Sequence, residues 1–178
     1  MPQLYFAQLR YLSIIVLAWL LVFFLTRSVL LASHLADAHG NLLQLSAVYA
    51  IGLVYDLGFL LYATLPLALY LFLCPPRLWR QRWHQRLLLA LVAFSLFVML
   101  FTAVAEWLFW DEFGVRFNFI AVDYLVYSEE VLNNILESYP IYPLLALLAL
   151  LATAASIALR KPVQAALDAP LLTPSRAF

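Results

Sequence analysis

Apolar residues in this chain come in long runs, and alternating strand-like patterns are absent. Four runs, at 11–32, 49–73, 87–105 and 141–159, are almost uninterrupted. A hydrocarbon core of about 30 Å needs about 20 apolar residues at 1.5 Å each, so each run predicts a membrane-spanning helix. The third is the cleanest, broken by Ser95 and Thr102 and bounded by Arg86 and Glu106. Pro66 falls inside the second, where it should kink a helix that a bundle can tolerate. The fourth is short, and its Ala152, Ala154, Ala155 and Ser156 permit close helix packing. Between the third and fourth runs the pattern changes to a helical period. Glu129, Glu130, Asn133, Asn134, Glu137 and Ser138 make one face, while Val131, Leu132, Ile135, Leu136 and Tyr139 make the other. Pro140 ends that helix and launches the fourth span.

Composition agrees. Of 178 residues, 66% are hydrophobic and 11% charged, with mean hydropathy +0.94. Soluble domains carry about a quarter charged residues, which places this chain among integral membrane proteins. A cleaved signal peptide is considered because Arg10 precedes the first run and Ala36-Asp37-Ala38 has a small-x-small look. That site lies too far past the apolar centre, so an uncleaved helix is expected. The single Cys74, beside Pro75 and Pro76, excludes an internal disulfide and reads as a small apolar filler.

The net charge is zero, but the charges are sorted. Arg10, Arg77, Arg80, Arg82, Arg86, Arg160, Lys161 and Arg176 fall on one side of the four spans, eight of the ten cationic residues. Asp37, Glu106, Asp111, Glu112, Asp123, Glu129, Glu130 and Glu137 fall on the other. The positive-inside rule makes the basic side cytoplasmic. The N-terminus is then cytoplasmic, and the amphipathic helix lies in the extracytoplasmic interface. The expected fold class is therefore all-α: a polytopic bundle of four transmembrane helices plus one interfacial helix. Residues 1–161 form the membrane domain, with 106–140 its interfacial segment, and 162–178 read as a cytoplasmic connector.

Candidate chemistry is sparse. In "PPRLWRQRWHQR" arginines alternate with Trp79 and Trp83, which suits headgroup anchoring better than nucleic acid, because the loop is tied to the bilayer at both ends. "HLADAH" offers His34, Asp37 and His39, but no second cluster completes a metal site. Arg27 and Asp56 lie inside the first and second spans at similar depth, each about 26 Å from the basic end of its helix. They could form an ion pair, snorkel separately to the outer interface, or present Asp56 to a lipid headgroup.

The segment "FGVRFNFIAVDYLVYSEE" is too polar to span and too apolar for a solvated loop. Arg116 either pairs with a nearby carboxylate (Glu106, Asp111, Glu112 or Asp123) or contacts a phosphate, whose oxygens match a guanidinium fork. The acidic face of the following helix fits another protein surface better than anionic lipid.

Residues 106–140, "EWLFWDEFGVRFNFIAVDYLVYSEEVLNNILESYP", resemble the membrane portion of lipoteichoic-acid-synthase-like phosphoglycerol transferases of the sulfatase/alkaline-phosphatase superfamily. "GLVYDLGFLLYATLPLALYLF" in the second span is a weaker match; where that family often has Arg before the aromatic–Asp pair, this chain has Val54. The resemblance implies a five-helix membrane domain in the bacterial inner membrane. It also implies a large extracytoplasmic catalytic domain carrying a divalent metal (Mn or Mg) and a threonine nucleophile. No such domain, catalytic residue or metal set is found in these residues, so a truncated or separately encoded membrane part is expected, inactive alone. Its expected partners are the bilayer, anionic phospholipid headgroups and the missing catalytic domain, with no nucleic acid. Trp110, Arg116, Asn118, Asp123 and Tyr124 are the candidates for headgroup contact or docking of that domain. Two further readings stay open: the anchor of a phosphoethanolamine transferase or sulfatase-like hydrolase, and a non-enzymatic membrane subunit binding a partner through the acidic helix.

Overall fold

The computed structural model describes residues 2–33, 42–115, 133 and 136–168. Five helices are resolved among them: α1 (Pro2–Ser33), α2 (Leu42–Leu73), the single turn α3 (Pro76–Trp79), α4 (Arg82–Phe113) and α5 (Ile141–Leu167). α1, α2, α4 and α5 are each long and apolar enough to cross a membrane. The protein is an all-α, multi-pass membrane bundle.

The long helices overrun the apolar windows because a helix need not stop where the bilayer does. Pro66 sits inside α2 without ending it. α4 continues through Glu106 and stops at Phe113, where Gly114 adopts φ 65° and donates its N–H to the Trp110 carbonyl at 2.8 Å. A left-handed residue after the last turn is the usual glycine termination. The segment expected to begin an interfacial stretch at Glu106 thus starts as the last two turns of a spanning helix. Of the amphipathic helix itself, Asn133 and residues 136–138 are described, and they are helical. The last helix also runs on past residue 161, into the stretch expected to be a connector. Pro162 lies within α5, and Val163, Ala166 and Leu167 beyond it are buried, so packing outweighs the hydrogen bond that the proline forgoes.

α1, α4 and α5 form a mutually packed trio, with α5 most extensively against α4, while α2 lies outside the trio and packs chiefly on α1. The α4 stripe His84, Leu88, Val92, Ser95 and Met99 follows the helical period and is buried; Ala152 of α5 is buried as well. Serine and threonine hydroxyls within the four long helices bond back to carbonyls three or four residues earlier, as with Thr26 to Val22, Thr64 to Leu60 and Thr153 to Ala149. Polar groups in lipid must be satisfied internally in this way.

The buried core gathers at the arginine end. There Tyr11 is fully buried, donates its hydroxyl to the Leu88 carbonyl at 2.8 Å, and meets Trp79 edge-on at 6.4 Å. Tyr70 and His84 Nε2 share a hydrogen bond of 2.8 Å. Trp79 is 0% exposed, so its indole does not face the lipid headgroups as the sequence pattern suggested. The turn of α3, begun by Pro75 and Pro76 and ended before Gln81, swings this indole inward, while Trp83 stays exposed. Gln8 Oε1, Trp79 Nε1 and His84 Nδ1 are buried without hydrogen-bond partners among the described residues, which marks a layer packed for shape more than for polar satisfaction. Cys74 is buried in the same layer, and burial pushes its thiol up, away from the reactive thiolate.

Candidate functional site: a charged layer at the acidic end

Arg27 sits within about two turns of the end of α1, and Asp56 lies in the first half of α2. Helical side chains lean toward the N-terminus of their own helix. α1 and α2 run antiparallel, so the two leans converge. Arg27 Nη2 donates to both carboxylate oxygens of Asp56, at 2.9 and 2.8 Å, and both side chains are more than nine-tenths buried. The guanidinium does not run out toward the near interface. It reaches inward, along α2.

Gly52, one turn before Asp56, makes that path possible. The guanidinium lies against its backbone, and a Cβ at this position would collide with Cζ, Nε and Nη2 of Arg27. The sequence gives Gly52 and Asp56 at i and i+4, one face of a helix, but only the register of α1 against α2 reveals what lies over the glycine. One turn nearer the helix start, Tyr49 shares a 3.1 Å hydrogen bond with Ser28 and packs on Phe24. Phe59 packs against Trp19 and Phe23 on the opposite flank of the pair. Rings on either side thus shield the ion pair from lipid. Val54, where the resembled family often has arginine, faces outward at 68% exposure, so Asp56 takes its cation from α1.

The arrangement leaves capacity. A guanidinium has five N–H donors, and Nη2 supplies two. Nε and Nη1 of Arg27 have no partner among the described residues. On α4 the carboxylate of Glu106 is buried within about two turns of the same end of the bundle, and Trp110 is half-buried one turn beyond it. Burial of Glu106 was not legible in the sequence, where it reads as the edge of a span. Arg116, Asn118, Asp123 and Tyr124 lie outside the described residues, as do His34, Asp37 and His39. Among the described residues no three His, Cys, Asp or Glu side chains cluster as a metal site.

No protein-family model, curated protein or solved structure matches the chain.

Proposed function

We propose that this chain is a membrane-anchoring domain that presents a phospholipid headgroup at the acidic end of the bundle, in the service of a sulfatase-like phosphoglycerol transferase. The observation that carries the reading is Arg27, held in place by Asp56 with three N–H donors that have no partner among the described residues. A guanidinium already neutralised by a carboxylate attracts free anions weakly. Where the flanking rings part to admit it, a phosphodiester or ester oxygen from the bilayer can accept directed hydrogen bonds from this guanidinium. The sorted charges favour an N-terminus in the cytoplasm of a bacterial inner membrane, with the acidic end outside. On this reading Trp110, Arg116, Asn118, Asp123 and Tyr124 extend the headgroup site or seat the catalytic domain, and the resemblance of residues 106–140 supplies the reaction class.

Native mass spectrometry of the chain released from mixed phosphatidylglycerol and phosphatidylcholine membranes tests this. Phosphatidylglycerol should be retained preferentially, and Arg27→Gln or Arg116→Gln should erase the preference. Equal retention of both lipids by the parent chain would dismiss headgroup presentation. Turnover of fluorescent phosphatidylglycerol by this chain alone would dismiss the anchor role, and a reporter inserted after Ser128 that is active in the cytosol would reverse the sidedness.

A further inference from the structure

At the arginine end, α3 and the first turns of α4 form an elbow between two spans. No Asp or Glu lies between Asp56 and Glu106, yet the elbow carries Arg77, Arg80, Arg82 and Arg86 within ten residues. Trp79 and His84 are fully buried and pin this elbow to the bundle, His84 through its hydrogen bond with Tyr70 of α2. Arg77 stands two residues before Trp79, and Arg82 and Arg86 stand two residues either side of His84. At about 100° per residue, each of these three projects from the side of its helix away from the buried ring. All four arginines are exposed. The side chains of Arg77, Arg82 and Arg86 have no hydrogen bond or ion pair among the described residues, and Asp168, at the end of α5 on this side, forms no ion pair there either. The start of α4 adds to the positive field. Gln81 accepts the indole N–H of Trp83 instead of capping the helix, and the first turn holds no acidic residue, so the helix dipole reinforces the arginines.

We propose that this elbow is a binding site for a phospholipid with two phosphodiester groups, of the cardiolipin kind, in the leaflet at the arginine end. Guanidinium forks match phosphate oxygens. Arg77 with Arg80, and Arg82 with Arg86, make two pairs spaced three and four residues apart, one for each phosphodiester. The residues that lead into and out of the elbow, Phe72, Leu73 and Leu87, are exposed and apolar, and Trp83 is exposed among the arginines. The partner must therefore meet cations and apolar side chains together, which a phospholipid does and a water-soluble polyanion does not. Because buried rings hold the backbone, the arginines are positioned before the lipid arrives, which favours one bound molecule over a diffuse anionic cloud. This site lies at the opposite end of the bundle from Arg27 and does not depend on headgroup presentation there.

Native mass spectrometry of the full chain, released from bilayers holding cardiolipin and phosphatidylglycerol at equal phosphate, provides the test. One cardiolipin should be retained per chain in preference to phosphatidylglycerol. Arg77→Gln with Arg80→Gln, or Arg82→Gln with Arg86→Gln, should each lower cardiolipin affinity about thirtyfold. Arg160→Gln with Lys161→Gln removes the same charge from the same end of the bundle and should leave it nearly unchanged. Changing all four elbow arginines to lysine keeps the charge that sets insertion and should still weaken binding, because the planar forks are lost. Arg27→Gln should have no effect, which separates this site from the acidic end. Equal retention of the two lipids per phosphate, equal losses from the elbow pairs and the pair on α5, or a four-lysine chain that binds as tightly as the parent would each overturn the proposal.

Discussion

The two ends of the bundle are fastened by different chemistry. At the arginine end Tyr11, Trp79, His84, Leu88 and Val163 interlock side chains from α1, α3, α4 and α5. At the acidic end, α2 is tied to α1 by Arg27 and Asp56 with a flanking hydroxyl pair. Lipid tails are as apolar as leucine, so apolar contact alone gives membrane helices little reason to associate; close packing and polar bonds do the holding. The trio α1, α4 and α5 uses shape. α2, outside the trio, reaches the main core through Leu71 and Leu67 near its end, and elsewhere is held to α1 by the ion pair, the Ser28–Tyr49 hydroxyls and ring contacts of Tyr49 and Phe59.

Asp56→Ala should therefore act first on α2. It strands a buried guanidinium and should cost about 3–5 kcal/mol in a lipid-based unfolding measurement. Hydrogen exchange should rise in α2 before it rises in α1, α4 or α5. In the pair Arg27→Gln and Asp56→Asn, the double change should be milder than the sum of the singles; simple additivity would show the charges uncoupled. Trp79→Ala should show the reverse pattern, costing about 3 kcal/mol and loosening the trio while the ion pair persists. Uniform loosening of all four long helices by either change would erase the distinction between the ends.

Gly52→Ala is a finer probe, because it alters the ion pair without touching either charge. The new methyl should push the guanidinium off its path and cost about 1–3 kcal/mol, the usual range for overpacking. Combining it with the shorter Arg27→Gln should remove most of that added cost. The mildest test is chemical and concerns the shape-packed end. Since burial raises the Cys74 thiol, thiolate is scarce at neutral pH. Alkylation should stay slow through pH about 8.5, where a free thiol is half ionised, and accelerate only at more alkaline pH or after Trp79→Ala opens the layer.

Much of the framework can be read from the sequence, and the limits are instructive. The four spans and the common depth of Arg27 and Asp56 follow from run length and rise per residue, quantities local to one helix. Trp79 was not legible, because a tryptophan among arginines at a span's edge looks the same whether it lies in the headgroups or plugs the core. One turn of α3 decides which. Gly52 looks like any small residue in a spanning helix until the α1–α2 register is known. The outlying position of α2 is invisible for the same reason: its run is as greasy as the others, and hydropathy records length, not neighbours. Of the residues singled out near the acidic end, Trp110 stands on α4 within the described structure, while Arg116, Asn118, Asp123 and Tyr124 fall outside it.

The overrun of α4 has a mechanical consequence. From Glu106 to Phe113 the helix rises about 10 Å past its apolar run, a stiff post braced by Phe109 against Phe113, with ring centroids 4.6 Å apart. The chain steps off this post at Gly114. Its height above the lipid is set by how the apolar run below matches the hydrocarbon thickness, so a thinner bilayer lifts the exit and a thicker one draws it down.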